Sequence, residues 1–560
     1  MLFKRLLLSA ACATVALAPM VSAAAPAYAA AAQQEGSEAE GYSGPHLVVT
    51  VVVDQFSANL FNQYRSHFTG GFKRLIDEGL VHANGFQTHG MTETCPGHST
   101  VLTGMHPAHT GIGVNYSNDD ETGDGRYCLA STQNTLAHGK LTDNGNVGTE
   151  LLKVDTLGDW LQAEHPDSRV FAVSGKDRGA INLAGHHGRA FWFTDGFGLT
   201  TYVRPGETAA ERLAPGASFN TRFPAAEQGQ NWKANFAYCQ TLAEDIEVVD
   251  GTFRSVVPPQ KTNFEGSPTL DEETLKAATH LLQSQGLGQG DSVDMLGVSL
   301  SATDKIGHTY GTQGPEMCEQ MMRLDAALGD FLSELDKVEG GVILALTADH
   351  GGADIIERTH NRGFPYAHRA SFAVVDQANA ALRQQFGLDF DPLQRGSSGL
   401  RIVDTQKRAL PEPLRSQIAR AAVSMLDGKG DFAMVLFRDE LLQDPIADSI
   451  QPEELTVRER MRLSAVDGVS ADLMTVLKPG VATGGRLGGN MSAHGQPWNY
   501  DRRVPIIFWT PNAQGQERFM PVRTIDIAPT LANIIAVKAP KVDGRCMDLG
   551  LGENAACPVE

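Results

Sequence analysis

The residues best suited to chemistry are one threonine and six potential metal ligands spread along the chain. Thr94 lies in the stretch TETCPGHST at 92–100, where Pro96 fits the first turn of a helix because its missing N–H costs little there. A helix starting at this point would set the Thr94 hydroxyl beside free backbone N–H groups and the positive end of the helix dipole, a setting that favours an anion such as phosphate. A threonine hydroxyl is a poor nucleophile at neutral pH, so it needs a base or a metal ion to become an alkoxide. Taken alone, a Thr-x-Pro turn is more often a helix cap. Cys95 competes as nucleophile in the same turn, but the chain shows no His-Asn partner pattern for a thiol enzyme, and Thr94 ranks above it.

Asp54, Asp304, His308, Asp349, His350 and His494 offer three carboxylates and three imidazoles, which suit two zinc ions. Asp304 and His308, four apart, can share one side of a helical turn. Asp349 and His350 directly follow an apolar run and can serve one metal from two directions. Each pair is a weak signal singly; together, each beside an expected strand or its loop, they point to a two-metal hydrolase. Asn115, in the loop GVNYS, can donate its amide to an oxyanion, although a turn asparagine is the plainer reading. Lys176 and Arg178 follow a buried run and, if extended, point to one side as a two-pronged phosphate grip; isolated, such a pair would be two solvated cations. His98, His106, His109, His186, His187 and His360 are read as structural or merely polar.

The elements that must position these groups are legible as buried runs. The segment HLVVTVVVD at 46–54 is β-branched without alternation, as central strands of parallel sheets are, and Asp54 falls at its C-terminal end, where open α/β sheets bind ligands. Similar runs at 168–174, 292–301 and 341–347 precede Lys176, Asp304 and Asp349, and the sheet resumes near 504–509. A helix over 56–80 with a break at Gly70-Gly71, another over 269–285, and one over 315–335 with a methionine-rich packing stripe complete the alternation. Two segments lack it, 183–268 and 355–490, and are expected as insertions, the first lying over the active edge. The fold expected is α/β: a three-layer α/β/α sandwich with a mostly parallel central sheet and inserted cap segments.

Residues 1–30 have a charged start, a short apolar centre and small-residue exits, the pattern of a cleaved secretory signal, so export to a bacterial periplasm or beyond is expected. The catalytic domain would then occupy 44–560, with no later run able to span a bilayer. The formal charge is −20, and losing a leader with two cations and no acid takes it to −22, which argues against binding nucleic-acid duplexes. An anionic substrate must therefore be held by a local positive site. Six cysteines remain beyond the leader, an even number that permits disulfides; Cys546 and Cys557, close together in a Gly-rich tail, are the first pairing expected.

In their order along the chain, VVVDQF, TETCPGHST, GVNYS, SGKDRGA, ATDKIGH, TADHGG and SAHG resemble the alkaline phosphatase superfamily, specifically its single-chain, threonine-nucleophile bacterial members related to the nucleotide pyrophosphatase/phosphodiesterase family. The resemblance spans essentially the mature chain. It implies that Asp54, Thr94, Asp349 and His350 hold one Zn²⁺ and that Asp304, His308 and His494 hold the other. It also implies that Asn115, Lys176 and Arg178 contact phosphoryl oxygens as in the monoesterase branch, the diesterase branch lacking the Lys-x-Arg pair. A sulfatase-like Cys-x-Pro-x-Arg is absent, since Cys95 is followed directly by Pro96. The implied activity is hydrolysis of small phosphate monoesters through a phospho-threonine, and a monomer is compatible with it. A diesterase using the same metals is the alternative, and a non-catalytic phosphate-binding protein a distant third.

Overall fold

A computed structural model describes residues 44–139, 144–194, 198–221, 232–260, 263–396, 398–447, 451–551 and 557. The expected leader, 1–30, lies outside them. The apolar run at 46–54 forms strand β1 (Leu47–Val53), buried at every position. It pairs in parallel with two neighbours far away in the chain, Asp294–Leu300 and Val342–Thr347. Asp294–Leu300 pairs in parallel with Val170–Ser174, which does the same with Arg189–Thr194. These five parallel strands are the middle of the sheet. Antiparallel Arg503–Trp509 extends it beyond Val342–Thr347, and Leu80–Phe86 pairs outside that.

The alternation of side chains along β1 divides the core into two layers. Val49, Val51 and Val53 face a layer with Phe72, Leu275, Leu324 and Leu328, carried by helices Gly71–Glu78, Thr269–Gln285 and Pro315–Leu335. Val48 and Val52 face another with Val101, Leu161, Ile181 and Leu531, on Thr94–Val101, Leu157–Glu164, Asp177–Ala184 and Ile527–Ile534. This is the three-layer α/β/α sandwich. Each fully buried valine or leucine contributes roughly 1.5–3 kcal/mol, so two continuous apolar layers readily hold the sheet's polar edge in place.

Two expectations about elements need correction. The stretch 56–80 is not one helix with a break: Ala58–Tyr64 and Gly71–Glu78 are separate, and Leu80 already starts a sheet strand. Nor is 183–268 wholly outside the sheet, because Arg189–Thr194 is its fifth parallel strand and Gly198–Thr200 pairs antiparallel with it at the edge, with Phe191 and Phe193 buried in the core. The region 355–490 has its own architecture. Strands Leu393–Arg395, Gly399–Ile402, Leu473–Leu477 and Phe432–Phe437 form an antiparallel sheet in that order, backed by Ala373–Phe386 and Leu414–Leu426 around a separate apolar cluster. No described helix is long and apolar enough to cross a membrane.

Cysteine pairs join Cys95 to Cys128, Cys239 to Cys318, and Cys546 to Cys557, the last as expected. Cys95 is thus no free thiol, which removes it as a rival nucleophile.

Candidate active site

Four adjacent parallel strands deliver the site. Asp54 follows β1, Lys176 follows Val170–Ser174, Asp304 follows Asp294–Leu300, and Asp349-His350 follow Val342–Thr347, all at the carboxyl edge of the sheet. His494 comes from the loop before Arg503–Trp509. Asp304 and His308 share one face of helix Ala302–Tyr310, as their spacing requires. That helix is capped by a carboxylate absent from the expected site: Asp271 accepts from Ala302 N at 2.9 Å and from Gln320 at 2.7 Å, and its burial raises its pKa to about 7.

Asp54, Asp349 and His350 bring one potential ligand atom each to within 4.8 Å of one another, and so do Asp304, His350 and His494. His350 therefore lies between the two groups, its ring stacked on that of His494 at 3.8 Å. His308 joins the second group, with Nε2 3.3 Å from Asp304 Oδ1 and 3.1 Å from His494 Nε2. All three rings are anchored through Nδ1: His350 to Gly351 O at 2.8 Å, His308 to Ser492 O at 3.0 Å, and His494 to Thr92 O at 2.7 Å. A carbonyl partner fixes the hydrogen on Nδ1 and turns Nε2 inward, the usual orientation of a metal-ligating histidine.

The inward atoms make no well-formed hydrogen bond, their near neighbours being one another, the rings of His308 and His494, and His98. Asp54 Oδ1, Asp304 Oδ1, Asp349 Oδ2 and His350 Nε2 are buried without a hydrogen bond. His350 Nε2 lies 3.4 Å from Asp54 Oδ1, so two lone pairs face each other, an arrangement that a divalent cation resolves. Burial, with Asp304 and Asp349 adding to it, pushes the Asp54 carboxyl well above the usual range, while burial holds His350 near a pKa of about 3. Burial opposes protonation of His494, yet its contact with Asp304 lifts that imidazole to about 9, so a cation binding there must displace a proton. The donor set fits two divalent ions.

Thr94 is the first residue of its helix and is buried, with Glu93 as N-cap. Pro96 sits inside the first turn. The helix is keyed to the ligands by His98, one turn on, whose Nδ1 lies 3.0 Å from both Thr94 O and Asp349 Oδ2 while its Nε2 contacts Ser299 Oγ at 2.8 Å. His98 thus belongs to the site as a positioning residue; the signal available was its place four residues after Thr94 on the same helical face. Asp349 Oδ1 accepts from the N–H groups of Gln55 and His350, at 3.1 and 2.9 Å, which turns Oδ2 inward.

Asn115 accepts from Cys95 N through Oδ1 at 2.7 Å, which leaves its two amide hydrogens free to donate beside Thr94. Its own N–H donates to Glu93 Oε2 at 2.7 Å, so Glu93 is another positioning residue that sequence reasoning missed. Lys176 and Arg178 do not share an extended segment. Val170–Ser174 ends before them, Lys176 is the N-cap of helix Asp177–Ala184, and Arg178 lies in its first turn. Lys176 Nζ donates to Asp54 Oδ2 at 2.6 Å and to Asp304 Oδ2, bridging the two carboxylate groups. Burial works against its charge, but those two carboxylates raise its pKa. Arg178 is held beside Asp177, which accepts from Tyr127 Oη at 2.8 Å. The arrangement joins a hydroxyl at a helix N-terminus, an amide donor, two cations and two clusters of potential cation ligands, and can stabilise charge building on a phosphoryl group under attack.

A family model described as type I phosphodiesterase / nucleotide pyrophosphatase matches residues 48–490. Alkaline phosphatase PhoD of Zymomonas mobilis is 36% identical over 532 residues, covering 93% of this chain and 90% of that protein. Alkaline phosphatase PhoK of a Sphingomonas species is 36% identical over 531 residues, covering 92% of each. The crystal structure of wild-type alkaline phosphatase PafA, at 24% identity, superposes with a TM-score of 0.75 over 91% of this chain and 99% of that one, a likeness of fold.

Proposed function

The chain belongs to the type I phosphodiesterase / nucleotide pyrophosphatase family and is a phosphoester hydrolase, and from that premise we propose that it is an alkaline phosphatase cleaving phosphate monoesters through a phospho-threonine. The observation that carries the choice of monoesters is Lys176 and Arg178, two cations brought to one site with Asn115. A monoester dianion asks for more positive charge than a diester monoanion does, and the monoesterase branch matches both residues.

Two Zn²⁺, one held by Asp54, Thr94, Asp349 and His350 and the other by Asp304, His308 and His494, would supply positive charge at the attacking hydroxyl and at the departing oxygen. Thr94 Oγ attacks phosphorus in line with the ester oxygen; its O–P bond forms as the ester P–O bond breaks, and the alcohol leaves with a proton. Asn115 donates to a phosphoryl oxygen, and Lys176 and Arg178 neutralise the charge that spreads over the others. Water then attacks the phospho-threonine from the side the alcohol vacated, releasing phosphate and restoring the hydroxyl. Small phosphate esters are the substrates of this reading.

The test compares an aryl phosphate with its methyl diester. Lys176→Ala and Arg178→Ala are each expected to lower kcat/KM for the monoester by about 10- to 100-fold, the scale of a charge-assisted contact, and to affect the diester much less. The family model's own description keeps a diesterase as the second reading, and a wild-type preference for the diester would decide for it.

We also propose delivery to the periplasm by the leader at 1–30, supported by three cysteine pairs of the kind that persist in oxidising compartments. N-terminal sequencing of protein from the periplasmic fraction should begin near residue 31, whereas a product retaining Met1 in the cytosol would exclude export.

A further inference from the structure

The cleft beside the ligands is far larger than a phosphoryl group. It encloses about 900 Å³, the size of pockets that bury drug-sized ligands. Its wall includes Glu93 and His494 together with Phe364, Tyr366, Phe372 and Arg395. It is therefore continuous with the reaction centre, on the side of the inserted region that follows Asp349-His350.

The part of the wall formed by Phe364 and Tyr366 sets exposed rings on a fixed backbone. Phe364 and Tyr366 are 47% and 58% exposed, with ring centroids 5.9 Å apart and planes at 80°. The turn carrying them is pinned from several sides. Ala367 N donates to Phe364 O at 2.9 Å, His360 Nδ1 contacts Ala367 O at 3.1 Å, and His368 N donates to Gly480 O at 3.1 Å. The Tyr366 ring lies so close over Gly480 that a Cβ there would be 2.8 Å from it. Exposing two large rings costs solvation, and pinning them adds none of the usual compensation of burial in the protein. Nearby, the Arg395 guanidinium lies 4.7 Å from the Phe372 ring centre, giving the same wall a polarised aromatic surface.

We propose that this wall is a leaving-group subsite for a flat aromatic ring, with Phe364 and Tyr366 as specificity-determining residues that stack or edge against the ring of the alcohol being released. The inference rests on the phosphomonoesterase reading and deepens it. Aromatic pairing of this kind is sequence-tolerant and works on any planar ring, whether of an aryl phosphate or of a nucleoside phosphate.

The experiment separates the ring from the chemistry of the leaving oxygen by comparing AMP with ribose 5-phosphate, which release the same kind of primary hydroxyl and differ by the base. A second arm compares 2-naphthyl phosphate with phenyl phosphate. The wild type is expected to favour AMP over ribose 5-phosphate by about tenfold or more in kcat/KM, mostly through KM, on the scale of one ring contact. Phe364→Ala with Tyr366→Ala should erase most of that ratio and leave ribose 5-phosphate within about twofold, while Tyr366→Phe, which retains the ring, should restore AMP. Preference confined to the naphthyl arm assigns the subsite to aryl esters, and confined to AMP assigns it to nucleosides. Equal rates on AMP and ribose 5-phosphate together with equal rates on both aryl esters, or a variant that loses all substrates alike, overturn the subsite while leaving the phosphatase standing. No hydrolysis of any monoester overturns the underlying reading instead.

Discussion

Thr94→Ala is expected to lower kcat for an aryl phosphate by about 10⁴-fold or more, because the variant removes the hydroxyl proposed to accept the phosphoryl group. Its fold and metal content should change little. Thr94 is one of seven ligands in the proposed set, and the other six, Asp54, Asp349, His350, Asp304, His308 and His494, are anchored through backbone carbonyls, backbone N–H groups and neighbouring side chains. Metal analysis of wild type and variant should therefore return about two zinc per chain in each, the complement a two-metal site requires. Thr94→Ser should recover much of the rate, since it restores the hydroxyl. Quenching a turnover mixture in acid should trap phosphate on the wild-type protein and none on the alanine variant. Near wild-type rates in Thr94→Ala would assign the attack to water directly, Cys95 being tied to Cys128.

Much of this site was legible because parallel strands write plainly. A strand buried on both faces must be apolar throughout, so β1 and its partners stand out as runs, and the residue after each run falls at the edge where ligands bind. Asp54 and Asp349 could be placed by that rule alone, while Asp304, in the first turn of helix Ala302–Tyr310, needed its spacing to His308 as well. Leu80–Phe86 could not, for its centre reads Ala83-Asn84-Gly85, and it becomes a strand only by pairing with Arg503–Trp509, more than 400 residues away. Arg189–Thr194 was hidden for a related reason: its aromatics serve as core only because Val170–Ser174 lies alongside. The geometry of Lys176 and Arg178 was misjudged because the positive charge survives either backbone conformation, whereas direction does not. Likewise the sequence carries no sign of how His350 stands between the two ligand groups, since that depends on the His494 ring stacked upon it.

Gly97→Ala tests whether the nucleophile's helix and the metal loop form one rigid unit. Local propensity alone favours the change, since alanine in a helix is better than glycine by about 1 kcal/mol. Tertiary contact opposes it. A Cβ at Gly97 would lie 2.2 Å from Asp349 O and 2.7 Å from both the carbonyl carbon and Cβ of Asp349. These neighbours are backbone and the root of a ligand side chain, so no rotamer change relieves the overlap. Either the helix beginning at Thr94 retreats or Asp349 moves, and His98, which touches both, cannot keep its contacts in either case. A displacement near 1 Å at the reacting atoms costs about 10²-fold in rate, so kcat/KM should fall at least that far. The loss should appear chiefly in kcat, and Tm should drop as well because overpacking costs roughly 1–3 kcal/mol. Gly125→Ala supplies the control, the same chemical change where nothing lies within 4 Å of the new atom, and should leave rate and Tm unaltered. If Gly97→Ala kept wild-type kinetics, the hydroxyl and the Asp349 carboxylate would be free to move independently, and the helix N-terminus would not be what aims the one at the other.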